Sequence, residues 1–164
     1  MKQCLLATAL LAVVGTAQGH VHGVGQIDVV VDGPRLSLAL DMPLDAAVGF
    51  ERAPKNAGEK AALEKAAKTL NDGAALFAPT PAAGCALRSA DVRLPFADGG
   101  KGGDDHADIE AVYVFECAAP AALKGFETSL FKHFRRLYRV EIQRIGPNDQ
   151  GAGRLTPKTP SLAW

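Results

Sequence analysis

Alternation with a period of two dominates residues 26–42. Ile27, Val29 and Val31 interleave with Gln26, Asp28 and Val30; Leu36, Leu38, Leu40 and Met42 interleave with Arg35, Ser37, Ala39 and Asp41. Asp32-Gly33-Pro34 separates the two runs and is a turn signal, so they predict a β-hairpin with one buried and one wet face. Residues 106–117 alternate as cleanly: Ala107, Ile109, Ala111, Tyr113, Phe115 and Cys117 share one face of a further predicted strand. Residues 85–96 alternate imperfectly, which predicts a strand carrying a bulge. Tyr138, Val140 and Ile142 mark another strand, and residues 151–155 a short edge.

The helical signals are fewer. Residues 43–50 read as one helical turn closed by Gly49. Asn56 and Glu59 are spaced as an N-cap and its partner three residues on, opening a helix that runs to about Leu70. Leu63, Ala66, Ala67 and Leu70 form its narrow apolar stripe, and Asn71-Asp72-Gly73 stops it. Residues 118–122 form a turn, and residues 123–137 read as a strand followed by a helical turn. Runs of strands with one main helix predict an α+β domain, mostly antiparallel, with short helical turns.

At 164 residues, with 48% hydrophobic and 22% charged, the chain has the size and composition of one globular domain. Lys and Arg total 18, as do Asp and Glu, and aromatics are 6%. That excludes the basic stripe and stacking platforms on which nucleic-acid binding depends. The N-terminus changes the picture further. Lys2, the apolar run of residues 4–14 and the small residues from Gly15 to Gly19 read as a signal peptide over 1–19, cleaved after Ala17 or Gly19. The run is shorter than the roughly 20 apolar residues that span a bilayer. The mature domain is therefore residues 20–164, exported and with no membrane insertion after cleavage. Processing removes Lys2 and no acidic residue, leaving 17 basic against 18 acidic residues. It also removes Cys4, leaving Cys85 and Cys117, which read as one disulfide in an oxidising compartment rather than as zinc thiolates, since neither has CxxC spacing or a neighbouring histidine.

Candidate chemistry centres on histidine. His20 and His22, two apart, face the same way in an extended chain; His106, Asp108 and Glu110 form a polar row opposite the core row of their strand. Imidazole and carboxylate donors in this number suit zinc at about 2.0–2.2 Å. A flexible N-terminus and a solvated strand face use the same residue types with no metal, so spacing leaves both readings open. His133, among Lys132, Arg135 and Arg136, reads as a solvated basic turn. His22-Gly23-Val24-Gly25 lacks the third glycine and the helix of a dinucleotide loop, and no GxSxG, HExxH or P-loop occurs. Nothing supports an enzyme.

A resemblance rests on ordered blocks: His20-Val-His22-Gly23, Met42-Pro-Leu-Asp45, Val48-Gly-Phe-Glu-Arg-Ala-Pro54, Leu76-Phe77, Cys85, His106-Ala-Asp-Ile-Glu110, Tyr113-Val-Phe-Glu-Cys117, Leu130-Phe131 and Leu162-Ala-Trp164. The chain resembles the ZrgA-type family of zinc-regulated periplasmic proteins. That resemblance implies a periplasmic zinc-binding accessory protein that captures Zn2+ and hands it to an ABC-type importer, with His20, His22, His106, Asp108 and Glu110 as the ligand pool. Two departures bear on this. The loop at 98–105 holds no histidine where relatives are His- and Asp-rich, and Arg52 stands where a histidine is common. They imply a zinc capacity reduced to one site or partly lost; the alternative function is an envelope interaction module whose metal site has decayed. Cleavage at either position also leaves a histidine as the third residue, a planar four-nitrogen set suited to Cu2+.

Overall fold

A computed structural model describes residues 21–96 and 107–164. The hairpin forms as expected, β1 (Val24–Asp32) against β2 (Arg35–Pro43), with Gly33-Pro34 as a two-residue turn and register running from Asp32↔Arg35 to Gln26↔Asp41. Next come α1 (Leu44–Val48), α2 (Ala57–Asn71), α3 (Gly73–Leu76) and β3 (Phe77–Pro79). They are followed by β4 (Cys85–Arg93), β5 (Asp108–Cys117), β6 (Gly125–Thr128), α4 (Leu130–His133), β7 (Arg139–Ile145), β8 (Gln150–Leu155) and β9 (Ser161–Ala163).

Six strands make one sheet in the order β4-β5-β2-β1-β7-β8, antiparallel except for the parallel β1–β7 pair. A second sheet, β3-β6-β9, is small and antiparallel. Among the described residues the fold is thus α+β, mostly antiparallel, with one main helix and one disulfide. Cys85 and Cys117 face each other across β4 and β5 and are bonded. The register of β4 shifts between Leu87 and Ser89, which is the irregularity anticipated there.

The large sheet is asymmetric because its strands alternate. Ile27, Leu38, Tyr113 and Ile142 lie on the face covered by Leu63, Ala66 and Leu70 of α2 and by Phe77 and Phe126 of the small sheet. The opposite face carries Asp28, Ala39, Val112 and Gln143 and is open. Tyr113 joins the layers: its ring lies 4.9 Å from that of Phe77, and its hydroxyl donates to the Leu70 carbonyl at 2.8 Å.

Three details differ from expectation. Tyr138 is half-exposed and lies just before β7, its backbone N–H donating to the Gly23 carbonyl. Asp72 ends α2 and opens α3 at once, its carboxylate accepting from the Ala75 N–H. The strand and helical turn expected within residues 123–137 form as β6 and α4, but β3 and β9, three residues each, were not anticipated because they are too short to display a period. Among the described residues, no helix is long and apolar enough to cross a membrane.

Candidate metal centre

The strand directions set where the polar groups gather. Because β1 and β2 are antiparallel, the residues entering β1 return beside those leaving β2. Four residues before Gln26 is His22, and four after its register partner Asp41 is Asp45. The hairpin therefore carries these two side chains to one end of the sheet. β5 begins at that same end, where Asp108 sits opposite Pro43 and the Ala107 carbonyl accepts from the Leu44 N–H at 2.8 Å.

Local backbone features complete the approach. Gly23 turns the chain from His22 into β1 at φ +71°; a Cβ there would lie 2.6 Å from the Arg136 carbonyl oxygen. Its own carbonyl accepts from Tyr138 at 3.0 Å. Only glycine satisfies both demands. Gly49 closes α1 in the left-handed conformation at φ +86°, which reverses the chain so that Glu51 comes back towards Asp45.

Among the described residues, His22, Asp45 and Glu51 form a group able to hold a metal, with one donor atom of each within 4.8 Å of the others. His22 Nδ1 lies 3.3 Å from Asp45 Oδ2 and 3.3 Å from Glu51 Oε1. These separations exceed the 2.7–2.9 Å of a charge-assisted hydrogen bond. They match the edge of a zinc tetrahedron, since donors about 2.1 Å from a tetrahedral ion sit roughly 3.4 Å apart. Asp45 Oδ1 is buried without a hydrogen-bond partner, a condition that a cation relieves. The His22 side chain is 73% exposed and that of Asp45 20%, so the site is open on the imidazole side and walled on the carboxylate side.

The segment carrying Glu51 is tied to α2. Arg52 donates to both oxygens of Glu59, Nη1 to Oε2 at 2.7 Å and Nη2 to Oε1 at 2.9 Å. The Lys55 N–H also donates to Glu59 Oε2 at 2.6 Å, and Asn56 caps the helix by accepting from the Glu59 N–H at 2.9 Å. The expected cap forms, but the Glu59 carboxylate reaches the N–H one residue earlier than a capping box requires. The Arg52 guanidinium, and then the Lys55 N–H, hold the Glu59 carboxyl down to about 2.

The five residues singled out in the sequence fare differently. His22 enters the cluster. Asp108 begins β5 at the same end of the sheet and has a partner of its own. Glu110 lies one repeat further along the open face, 64% exposed, with Arg93 at 3.8 Å. His20 and His106 lie outside the described residues, as does the N-terminus expected to suit Cu2+. Asp45 and Glu51 were not singled out; the hairpin register could have found Asp45, whereas Glu51 depends on the turn at Gly49.

Residues 19–164 match the family described as ZrgA family zinc uptake protein. The chain belongs to that family. Its role is accordingly in zinc uptake. No curated protein matches the chain.

Proposed function

We propose that this chain is a periplasmic zinc-binding accessory protein that captures Zn2+ at His22, Asp45 and Glu51 and hands it to an ABC-type importer. The observation that carries the reading is the placement of one imidazole nitrogen 3.3 Å from each of two carboxylates, one of which has a buried oxygen with no partner. Two carboxylates and one neutral imidazole hold a dication with a net negative donor set. Three protein donors leave a fourth position for water or for an acceptor's ligand, which suits a protein that must let go.

The other residues of the pool have graded places in this reading. His20, two residues before His22, and His106, which precedes Ala107 in sequence, are proposed as further donors. Asp108 and Glu110 supply acidic charge beside the centre rather than its first donors. Residues 1–19 are proposed as the signal peptide that delivers residues 20–164 to the periplasm as a single α+β domain.

The test is zinc titration of processed, untagged protein by competition with a chromophoric chelator. The parent should bind Zn2+, and His22→Ala and Asp45→Asn should weaken binding far more than His133→Ala. Equal effects at all three positions would overturn the ligand assignment. A parent that binds no zinc would favour the decayed-site alternative.

A further inference from the structure

Glu51 is the donor least fixed by secondary structure. His22 is held by the Gly23 turn into β1, and Asp45 lies within α1, but Glu51 sits on the irregular connection between α1 and α2. Such a side chain ordinarily loses conformational freedom when it ligates, and that loss weakens the metal. Here the next residue is anchored. Arg52 makes a bidentate pair with Glu59, its Nη1 also donates to the Ala53 carbonyl at 3.1 Å, and its guanidinium lies 5.2 Å over the Phe50 ring. Both neighbours of Glu51 are thus engaged by one guanidinium: Phe50 stacks under it and Arg52 bears it. Glu59 in turn is part of the N-terminal turn of α2, whose far side packs into the core through Leu63 and Leu70. A continuous set of contacts runs from the core, through α2, to the backbone on both sides of the metal donor.

We propose that Arg52 and Glu59 are positioning residues for zinc, a clamp that presets Glu51 against His22 and Asp45 and so raises the affinity of the centre without touching the metal. This rests on the metal-centre reading above. Arg is suited to the task because its planar fork fixes both distance and orientation, which a lysine ammonium cannot do. The clamp also explains the position that departs from the resemblance. Arg52 has both its terminal nitrogens engaged by Glu59, so it contributes to the centre by ordering its neighbour.

The test is a double-mutant cycle read in zinc affinity. Glu59→Gln keeps the size of the side chain and loses the charge, and in the parent background it should weaken zinc binding roughly tenfold, the lower end of what supporting residues around metal sites contribute. In a Glu51→Ala background the same change should have no further effect, because the residue being positioned is gone. Arg52→Lys, which keeps the charge and loses the fork, should fall between parent and Glu59→Gln, and it serves as the second variant if Glu59→Gln does not fold. A general loosening of the fold would weaken zinc binding equally in both backgrounds, and that result overturns the clamp. So does a normal loss from Glu51→Ala with none from either clamp variant. Failure of the underlying site looks different: His22→Ala and Glu51→Ala would themselves leave zinc binding unchanged.

Discussion

Single residues decide whether the donors meet. Gly23 combines a positive φ with a contact that leaves no room for a Cβ, so Gly23→Ala must shift either the chain entering β1 or the Arg136 segment. Since His22 is the next residue, this variant is expected to melt earlier and to bind zinc more weakly, both measurable on one preparation by calorimetry. Gly33→Ala also meets a positive φ but has open space around it, so it should lower the melting temperature while leaving zinc affinity unchanged. Glu59 makes a separate expectation about pH. Its folded carboxyl lies at about 2, below the ordinary 4.5, so the stability it confers is complete above 4.5 and is lost as pH falls from there towards 2. Glu59→Gln should therefore be less stable than the parent at neutral pH, with the gap closing on acidification. A gap that stays constant down to about pH 2.5 in urea titrations would contradict this assignment.

Between elements, Tyr113 ties the layers of the fold and the disulfide ties two neighbouring strands of the large sheet. Burial pushes the Tyr113 hydroxyl up from its ordinary range, and its proton is held by the Leu70 carbonyl at the end of α2. A raised folded value means that the neutral form is favoured in the native state. Its contribution is present below about pH 10 and lost as pH climbs above that. Tyr113→Phe should lower stability by about 1 kcal/mol at neutral pH, and should remove this part of the alkaline unfolding followed by circular dichroism. Cys85 and Cys117 join an edge strand to its inner neighbour across a separation of 32 residues. Replacing both by serine should cost roughly 3–4 kcal/mol by loop-closure entropy, measured as a lower denaturation midpoint. The change is remote from the metal end of β5, where Asp108 begins the strand, so zinc affinity should survive it.

For the molecule as a whole, zinc and folding are linked. A ligand that binds only the native state raises its stability with concentration, so zinc should increase the melting temperature of the parent and leave that of His22→Ala almost unmoved. Metal ligands must be deprotonated to bind, so the zinc-induced shift should shrink as the pH is lowered. A shift independent of pH, or retained in His22→Ala, would place the metal elsewhere. The two-sheet architecture makes this linkage local. One end of the large sheet collects the donors, while the small sheet closes the other layer through Trp164, whose ring lies 5.2 Å from the buried Arg144 guanidinium.

Wherever a local interaction dominated, the residues alone were enough. Alternation defined the hairpin and β5 because each strand has one buried face, and a slip of one residue would expose all its apolar side chains. The Asn56 cap and the Gly49 stop were legible because they depend on neighbours three or four residues away. The meeting of His22 with Asp45 went unread, although the hairpin register that produces it needs no information from the rest of the chain. Other features required the closed fold. The parallel pairing of β1 with β7 joins segments more than a hundred residues apart and leaves no trace in either one. β3 and β9 are too short to show a period, and their pairing with β6 exists because Phe77 and Phe126 have a core to enter. Glu51 was hidden for a related reason: an acidic residue in an irregular segment looks like any solvated carboxylate until a left-handed turn and the Arg52–Glu59 pair bring it within 3.3 Å of an imidazole. Donor chemistry is written in the residue types, but a metal centre is a set of distances, and those arise only when distant segments pack.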